Sequence, residues 1–247
     1  MKLFNDHRDT FRAPAALLIG LAVFTLAATG CAQTDVVAKF ANQSFKATIA
    51  ASKDHAAYIK EEEAWALASP AGDEVLFSTD FSRNSSSEGM ADMDKPDVEF
   101  VFDATPFIAA GLDIAKLPMV DGIKYEFEDG TFMYHFELGN DKFPATSADS
   151  FEATFTEIVK TQRSRIGYHA ALDHYGIALG NGNMFEWAKD LTKNDKDIVW
   201  VLNPEPFMQA GVDPANISGW VFAKVETMDE AGKKVLVDKL LKPFNLE

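Results

Sequence analysis

Alternation of apolar and polar positions is cleanest between residues 123 and 138. Ile123, Tyr125 and Phe127 fall on one face, and Phe132, Tyr134, Phe136 and Leu138 take it up again after Asp129-Gly130. A period of two is what a half-buried strand requires, and Asp-Gly between two such runs is a two-residue hairpin turn. Val98 to Phe102 and Ile198 to Leu202 are almost continuously apolar, which fits central strands buried on both faces. Turn chemistry at Pro70-Ala71-Gly72-Asp73 and at Gly180-Asn181-Gly182-Asn183 predicts two further hairpins. Helices are expected to open at Ser44 and Ser150, whose hydroxyls suit an N-cap.

The two central-strand runs belong to a longer match. DVEFVFDATPFIAAGLD (97–113) and DIVWVLNPEPFMQAGVD (197–213) align without a gap and are identical at seven positions: Asp97/Asp197, Val101/Val201, Pro106/Pro206, Phe107/Phe207, Ala110/Ala210, Gly111/Gly211 and Asp113/Asp213. Ser44 to Ile49 recurs as Ser150 to Phe155, and Phe77 to Asn84 parallels Trp187 to Asn194. A repeat of this length makes the expected fold α+β, a tandem internal duplication of an α-β-β-β-α-β-β unit with antiparallel-rich sheets and helices on one side. The units are 44–141 and 150–247, joined by a linker at 142–149, and only the first has the insertion 85–91.

Each matched residue has a structural use. Pro106 and Pro206 suit the first helical turn, where a missing N–H goes unnoticed. Gly111 and Gly211 stand where a short helix ends in a left-handed residue. Asp113 and Asp213 can cap the turn that follows, Asp103 and Asn203 can close the strand exit, and Phe107 and Phe207 are core. The match preserves a fold and points to no active site.

Residues 1–30 hold Lys2, Arg8 and Arg12, then an uncharged apolar run from Ala13 to Thr29, then Ala28-Thr29-Gly30 directly before Cys31, the chain's one cysteine. A basic start, an apolar middle and small residues before a cut make a secretory signal. The segment resembles the bacterial lipoprotein signal, in which the cysteine after the small residues is acylated and becomes the new N-terminus. That resemblance covers only the leader. It implies lipidation at Cys31, a tether over residues 31–43, and a cell-envelope protein anchored in a lipid bilayer and facing the periplasm or the exterior. Ala32 is not the aspartate that resembles an inner-membrane retention signal, so an outer-membrane address is allowed. An uncleaved anchor or an ordinary secretory signal shares the same layout.

Without the leader the chain carries twenty basic and thirty-six acidic residues, a net charge of −16. Such a field repels nucleic acid and anionic lipid surfaces, which are held through Lys and Arg. With no second cysteine for a disulfide, stability has to come from a packed core, and twenty phenylalanines and four tryptophans supply one.

Candidate chemistry is sparse. Met90 and Met93 sit three apart in an acidic loop, and Met133 and His135 sit two apart on a strand, so they share a face. Thioether and imidazole ligands suit copper(I); the plainer reading is loop methionines and a strand surface. His169 and His174, read on a helix, point about 140° apart and do not co-ligate. Asp92, Asp94, Asp97, Asp195 and Asp197 offer oxygens to calcium but lack the glycine and glutamate of a calcium loop, and read as solvated turns. Glu61, Glu62 and Glu63 read as a solvated helix face. GxSxG, GxGxxG and GxxxxGK[ST] are all missing from the chain. No cofactor is expected, and an enzyme is the less favoured reading. The leading expectation is a membrane-anchored, non-enzymatic module that binds a small molecule or a protein partner, with a cleft between the two units as the ligand site. A copper-handling lipoprotein and an unrecognised hydrolase are the alternatives.

Overall fold

The apolar runs form strands where their periodicity places them, and two antiparallel six-stranded sheets dominate the structure. The computed structural model describes residues 31–51, 55–79, 96–120, 123–138, 150–169, 172–190, 196–228 and 233–246. The leader, the linker, the insertion, Met90, Met93, Asp92, Asp94, Asp195 and the side chain of Cys31 lie outside the described residues. The first sheet contains β1 (Ala56–Ile59), β2 (Ala64–Ala68), β3 (Glu74–Ser78), β4 (Val98–Asp103), β5 (Ile123–Glu128) and β6 (Thr131–Phe136), in the order β1-β2-β3-β4-β6-β5. The second contains β7 (Ile166–His169), β8 (His174–Gly180), β9 (Asn183–Ala188), β10 (Ile198–Leu202), β11 (Val221–Met228) and β12 (Lys234–Phe244), in the same order, β7-β8-β9-β10-β12-β11. Four helices accompany them: α1 (Cys31–Ala51), α2 (Thr105–Ala109), α3 (Phe151–Thr161) and α4 (Glu205–Gln209).

Each half therefore has four strands before its second helix, one more than expected. The additional strands, β1 and β7, are four residues long and lie at sheet edges, where burial imposes little alternation. Glu61, Glu62 and Glu63, expected on a helix, make the turn from β1 to β2. The Asp129-Gly130 hairpin is as expected, both central residues having positive φ (49° and 85°), the twist that a two-residue turn between paired strands needs.

Helix α1 covers residues 31–43, expected as a tether, and Ser44 lies inside the helix instead of capping it. The cause is the buried series Ala38, Ala41, Phe45 and Thr48, which recurs at helical spacing. Two of its members are alanines too small to advertise an apolar face. The Ser44 hydroxyl donates to the Ala188 carbonyl at 2.5 Å. Ser150 does cap α3, its Oγ accepting from Ala153 N at 3.2 Å.

The helices pack on the inner faces, and they pack crosswise. Helix α1 of the first half lies against β7, β8 and β9 of the second, where Trp187 Nε1 donates to the Ala41 carbonyl at 3.2 Å. Phe151 of α3 reaches back to Trp65 and Phe77 of the first sheet, with ring centroids 5.9 and 5.8 Å apart. Beyond the helices the sheets touch directly: Phe77 meets Phe185 at 5.2 Å, Phe100 stacks on Trp200 at 4.8 Å, and Phe102 meets Trp220 at 5.3 Å. The cleft expected between the halves is, over these residues, filled by rings. Trp187, Trp200 and Trp220 are buried core, and Trp65 is half-buried against Phe151.

The two matched segments meet each other. Phe107 and Phe207 lie 5.0 Å apart. Asp113 N donates to the Ala210 carbonyl and Asp213 N to the Ala110 carbonyl, each at 2.9 Å. Gly111 and Gly211 have φ of 106° and 98°, as the helix ends demand, and a Cβ on Gly111 would sit 2.7 Å from the Gly211 carbonyl oxygen. Asp103 and Asn203 close the strand exits as expected, accepting from Thr105 N at 2.8 Å and Glu205 N at 3.1 Å.

Asp97 and Asp197 form neither a calcium site nor solvated turns. Both are buried, and their carboxylates receive the backbone N–H of Leu138 and Leu246, at 2.6 and 2.7 Å, so each ties down the chain just past the last strand of its half. Replacing Asp197 by alanine strands a buried N–H, which costs about 1–3 kcal/mol. Urea denaturation should show a lower midpoint with an unchanged slope.

Candidate functional site

Side chains alternate across a strand, so the residues that do not enter the core of the second sheet share its outer face. On β9 these are Met184 and Glu186, on β10 Val199 and Val201, and on β12 Lys239 and Leu241. A cavity of about 310 Å³ lies on that face, lined by residues from all six strands, His169 of β7 and Val225 of β11 included. A flat six-stranded sheet would hold its two edge strands about 24 Å apart. A cavity that touches both edges therefore runs across the sheet as a trough. Its walls are aliphatic, from Met184, Val201, Val225, Val237 and Leu241.

Three ionisable side chains interrupt the apolar lining. His169 Nδ1 lies 3.1 and 3.2 Å from the two carboxylate oxygens of Glu186, and the two residues are only 4% and 1% exposed. A buried carboxylate with no partner would be costly, and the imidazole provides one. Gly176 stands opposite Glu186 on β8; a Cβ there would lie 2.9 Å from Glu186 Cγ and 3.2 Å from the Phe185 carbonyl oxygen. The glycine is what lets the glutamate stem lie flat on the sheet.

Lys239 is the third. Its Nζ donates to the Gly182 carbonyl at 2.7 Å. Desolvation in the trough draws its pKa down to about 8, with the negative charge of Glu186 acting in the opposite direction. Because the folded value lies below the ordinary lysine value of 10.5, the unfolded chain holds this proton more firmly. The resulting penalty on folding is complete below pH 8 and fades as pH rises from 8 to 10.5. Lys239→Met should thus be more stable than the native chain at pH 7, and the gap in urea midpoint should narrow by pH 10. A gap that does not change with pH would show that the ammonium is not strained.

His169 and His174 were placed on a helix by sequence; they are direct cross-strand partners on β7 and β8 and face the same way. The ring nitrogens of His174 are engaged by the carbonyls of Leu172 and Lys196, which fixes it as a structural residue. Met133 and His135 do share the outer face of the first sheet, where His135 Nε2 lies 3.0 Å from Glu99 Oε2. Among the described residues no group of three or more His, Cys, Asp and Glu is placed to hold a metal ion.

The trough residues have no counterparts in the first half. Strand register puts Leu76 where Glu186 stands, Ile59 where His169 stands and Thr131 where Lys239 stands. There, Ile59 and Leu76 belong to a small apolar cluster with Ala64 and Ala66. The site was missed by sequence because no spacing connects residues 169, 186 and 239. The available signal was a difference between the halves, a glutamate in one where the other has leucine.

No protein-family model matches the chain, and neither does any curated protein or solved structure. No helix among the described residues is long and apolar enough to cross a membrane.

Proposed function

We propose that this chain is an exported lipoprotein, anchored through acylated Cys31, whose second sheet binds a small apolar molecule carrying one polar group. The observation that supports this reading is the aliphatic trough with His169, Glu186 and Lys239 set into it. Pockets of this kind, apolar with a few polar groups for orientation, are the usual form of a small-molecule site. The duplication belongs to the same proposal: two copies of one α+β unit share a core, and the second has His169, Glu186 and Lys239 where the first has Ile59, Leu76 and Thr131.

The test is displacement of an environment-sensitive apolar fluorophore by medium-chain alcohols, comparing the native chain with Val201→Trp, which fills the trough from its floor. Saturable binding that Val201→Trp abolishes, with the fold intact by circular dichroism, supports the reading. Equal binding by both proteins places the ligand elsewhere and overturns it. Acylation is tested separately by incorporation of labelled palmitate, which Cys31→Ser should eliminate.

The copper alternative has Met133 and His135 on one face in its favour. The hydrolase alternative needs a base hydrogen-bonded inside a pocket, and His169 with Glu186 is such a pair. Among the described residues lining the trough, however, the one hydroxyl is that of Thr227.

A further inference from the structure

A lysine is an unusual wall for an apolar cavity, because its ammonium has to give up water that the walls do not replace. In the trough Lys239 donates to the Gly182 carbonyl and lies close enough to Glu186 to feel its charge. A lysine serving only to seat an anion would be better placed without a buried carboxylate beside it. An amine that has to lose its proton is helped by a desolvating wall, whose effect here outweighs the opposing charge of Glu186.

We infer that Lys239 captures carbonyl compounds, apolar aldehydes or ketones, as imines inside the trough. The inference rests on the trough being a ligand site. In the reaction the Nζ lone pair attacks the carbonyl carbon, forming the C–N bond, and the nitrogen loses one proton as the carbonyl oxygen takes one, which gives a carbinolamine. The hydroxyl takes a second proton, the C–O bond breaks as water leaves, and the iminium nitrogen gives up its remaining proton. Amine plus carbonyl thus gives imine plus water, and no oxidant or reductant is consumed. Water, which is also the product that leaves, supplies and takes up these protons, and the aliphatic walls of the trough hold the apolar chain of the carbonyl compound beside Nζ.

Site selectivity has a physical basis. At pH 7.5 an amine that titrates at about 8 is roughly one quarter neutral, whereas an ordinary lysine is roughly one part in a thousand neutral. Lower basicity reduces intrinsic nucleophilicity and takes back part of this advantage of roughly two hundred-fold. An excess of about tenfold over surface lysines is the expected result.

The experiment treats the intact chain with decanal and sodium cyanoborohydride, digests it, and measures N-decyl occupancy at every lysine by mass spectrometry. Displacement of the fluorophore by decanol, which cannot form an imine, is measured in parallel. At least tenfold greater occupancy at Lys239 than at any other lysine, abolished by Val201→Trp, supports the inference. Lys239→Arg should abolish that adduct while decanol still binds, since the guanidinium retains charge and loses the nucleophile. Labelling spread evenly over the lysines while decanol binds overturns the inference and leaves the binding reading standing. Failure of both decanol and decanal to displace the fluorophore overturns both.

Discussion

Gly111→Ala should destabilise the chain by about 3–5 kcal/mol, and Gly211→Ala by somewhat less. Two effects add. The first is backbone strain, since φ of 106° and 98° lies where a side chain is disfavoured, at about 1–3 kcal/mol. The second is contact. The new Cβ at 111 would lie 2.7 Å from the Gly211 carbonyl oxygen, whereas the one at 211 would lie 3.0 Å from the Gly111 oxygen, which sets the order of the two variants. Relief requires the matched segments to part, and they are held by the reciprocal Asp113–Ala210 and Asp213–Ala110 hydrogen bonds and by the Phe107–Phe207 contact. Each hydrogen bond contributes about 1 kcal/mol. Gly72→Ala is the control for strain alone, with φ of 89° and nothing within 4 Å of the added carbon. If urea midpoints put Gly111→Ala within about 1 kcal/mol of Gly72→Ala, the contact between the segments is soft and the argument fails. The double variant should cost less than the two singles together, because segments parted by one methyl have room for the second.

That contact also shows how far the sequence could be read. Identity of Phe107 with Phe207 and of Gly111 with Gly211 was visible, and so was the local work of each residue. That the two matched segments bind each other could not be seen, because an alignment records what corresponds and not what touches. Local features came through well: the Asp129-Gly130 turn, the apolar β4 and β10, and the Ser150 cap depend on neighbours a few residues away. The edges did not. Strands β1 and β7 are short, and the start of α1 hides behind alanines in a polar stretch. The candidate site lies further out of reach, because it joins His169, Glu186 and Lys239 from three strands whose order across the sheet is set only by folding. His169 and His174 illustrate the same limit, since a wrong local element sent two facing side chains apart.

His169→Ile should cost about 1–3 kcal/mol, because the buried Glu186 carboxyl loses the imidazole that meets both its oxygens. Glu186 is 1% exposed, so water offers it little help. The double variant His169→Ile/Glu186→Leu should recover to within about 1 kcal/mol of the native chain or exceed it, because exchanging a whole buried pair for well-packed aliphatics is often neutral or stabilising. The first half already holds this solution, with Ile59 and Leu76 at the equivalent register positions in an apolar cluster. Leucine at 186 keeps the branch point near Gly176, so the glycine still accommodates it. Urea denaturation of the three variants measures the coupling directly. A double variant as unstable as its two singles combined would mean that the pair holds the fold together, and that its burial needs no functional explanation. Recovery would mean the reverse: the fold could do without His169 and Glu186 at little cost, as its other half does. A buried polar pair that contributes no net stability, facing a cavity that a lysine drawn down to about 8 also lines, is then accounted for by what it does to a ligand. In the same double variant Lys239 loses the charge that supported its proton, so its pKa should fall further.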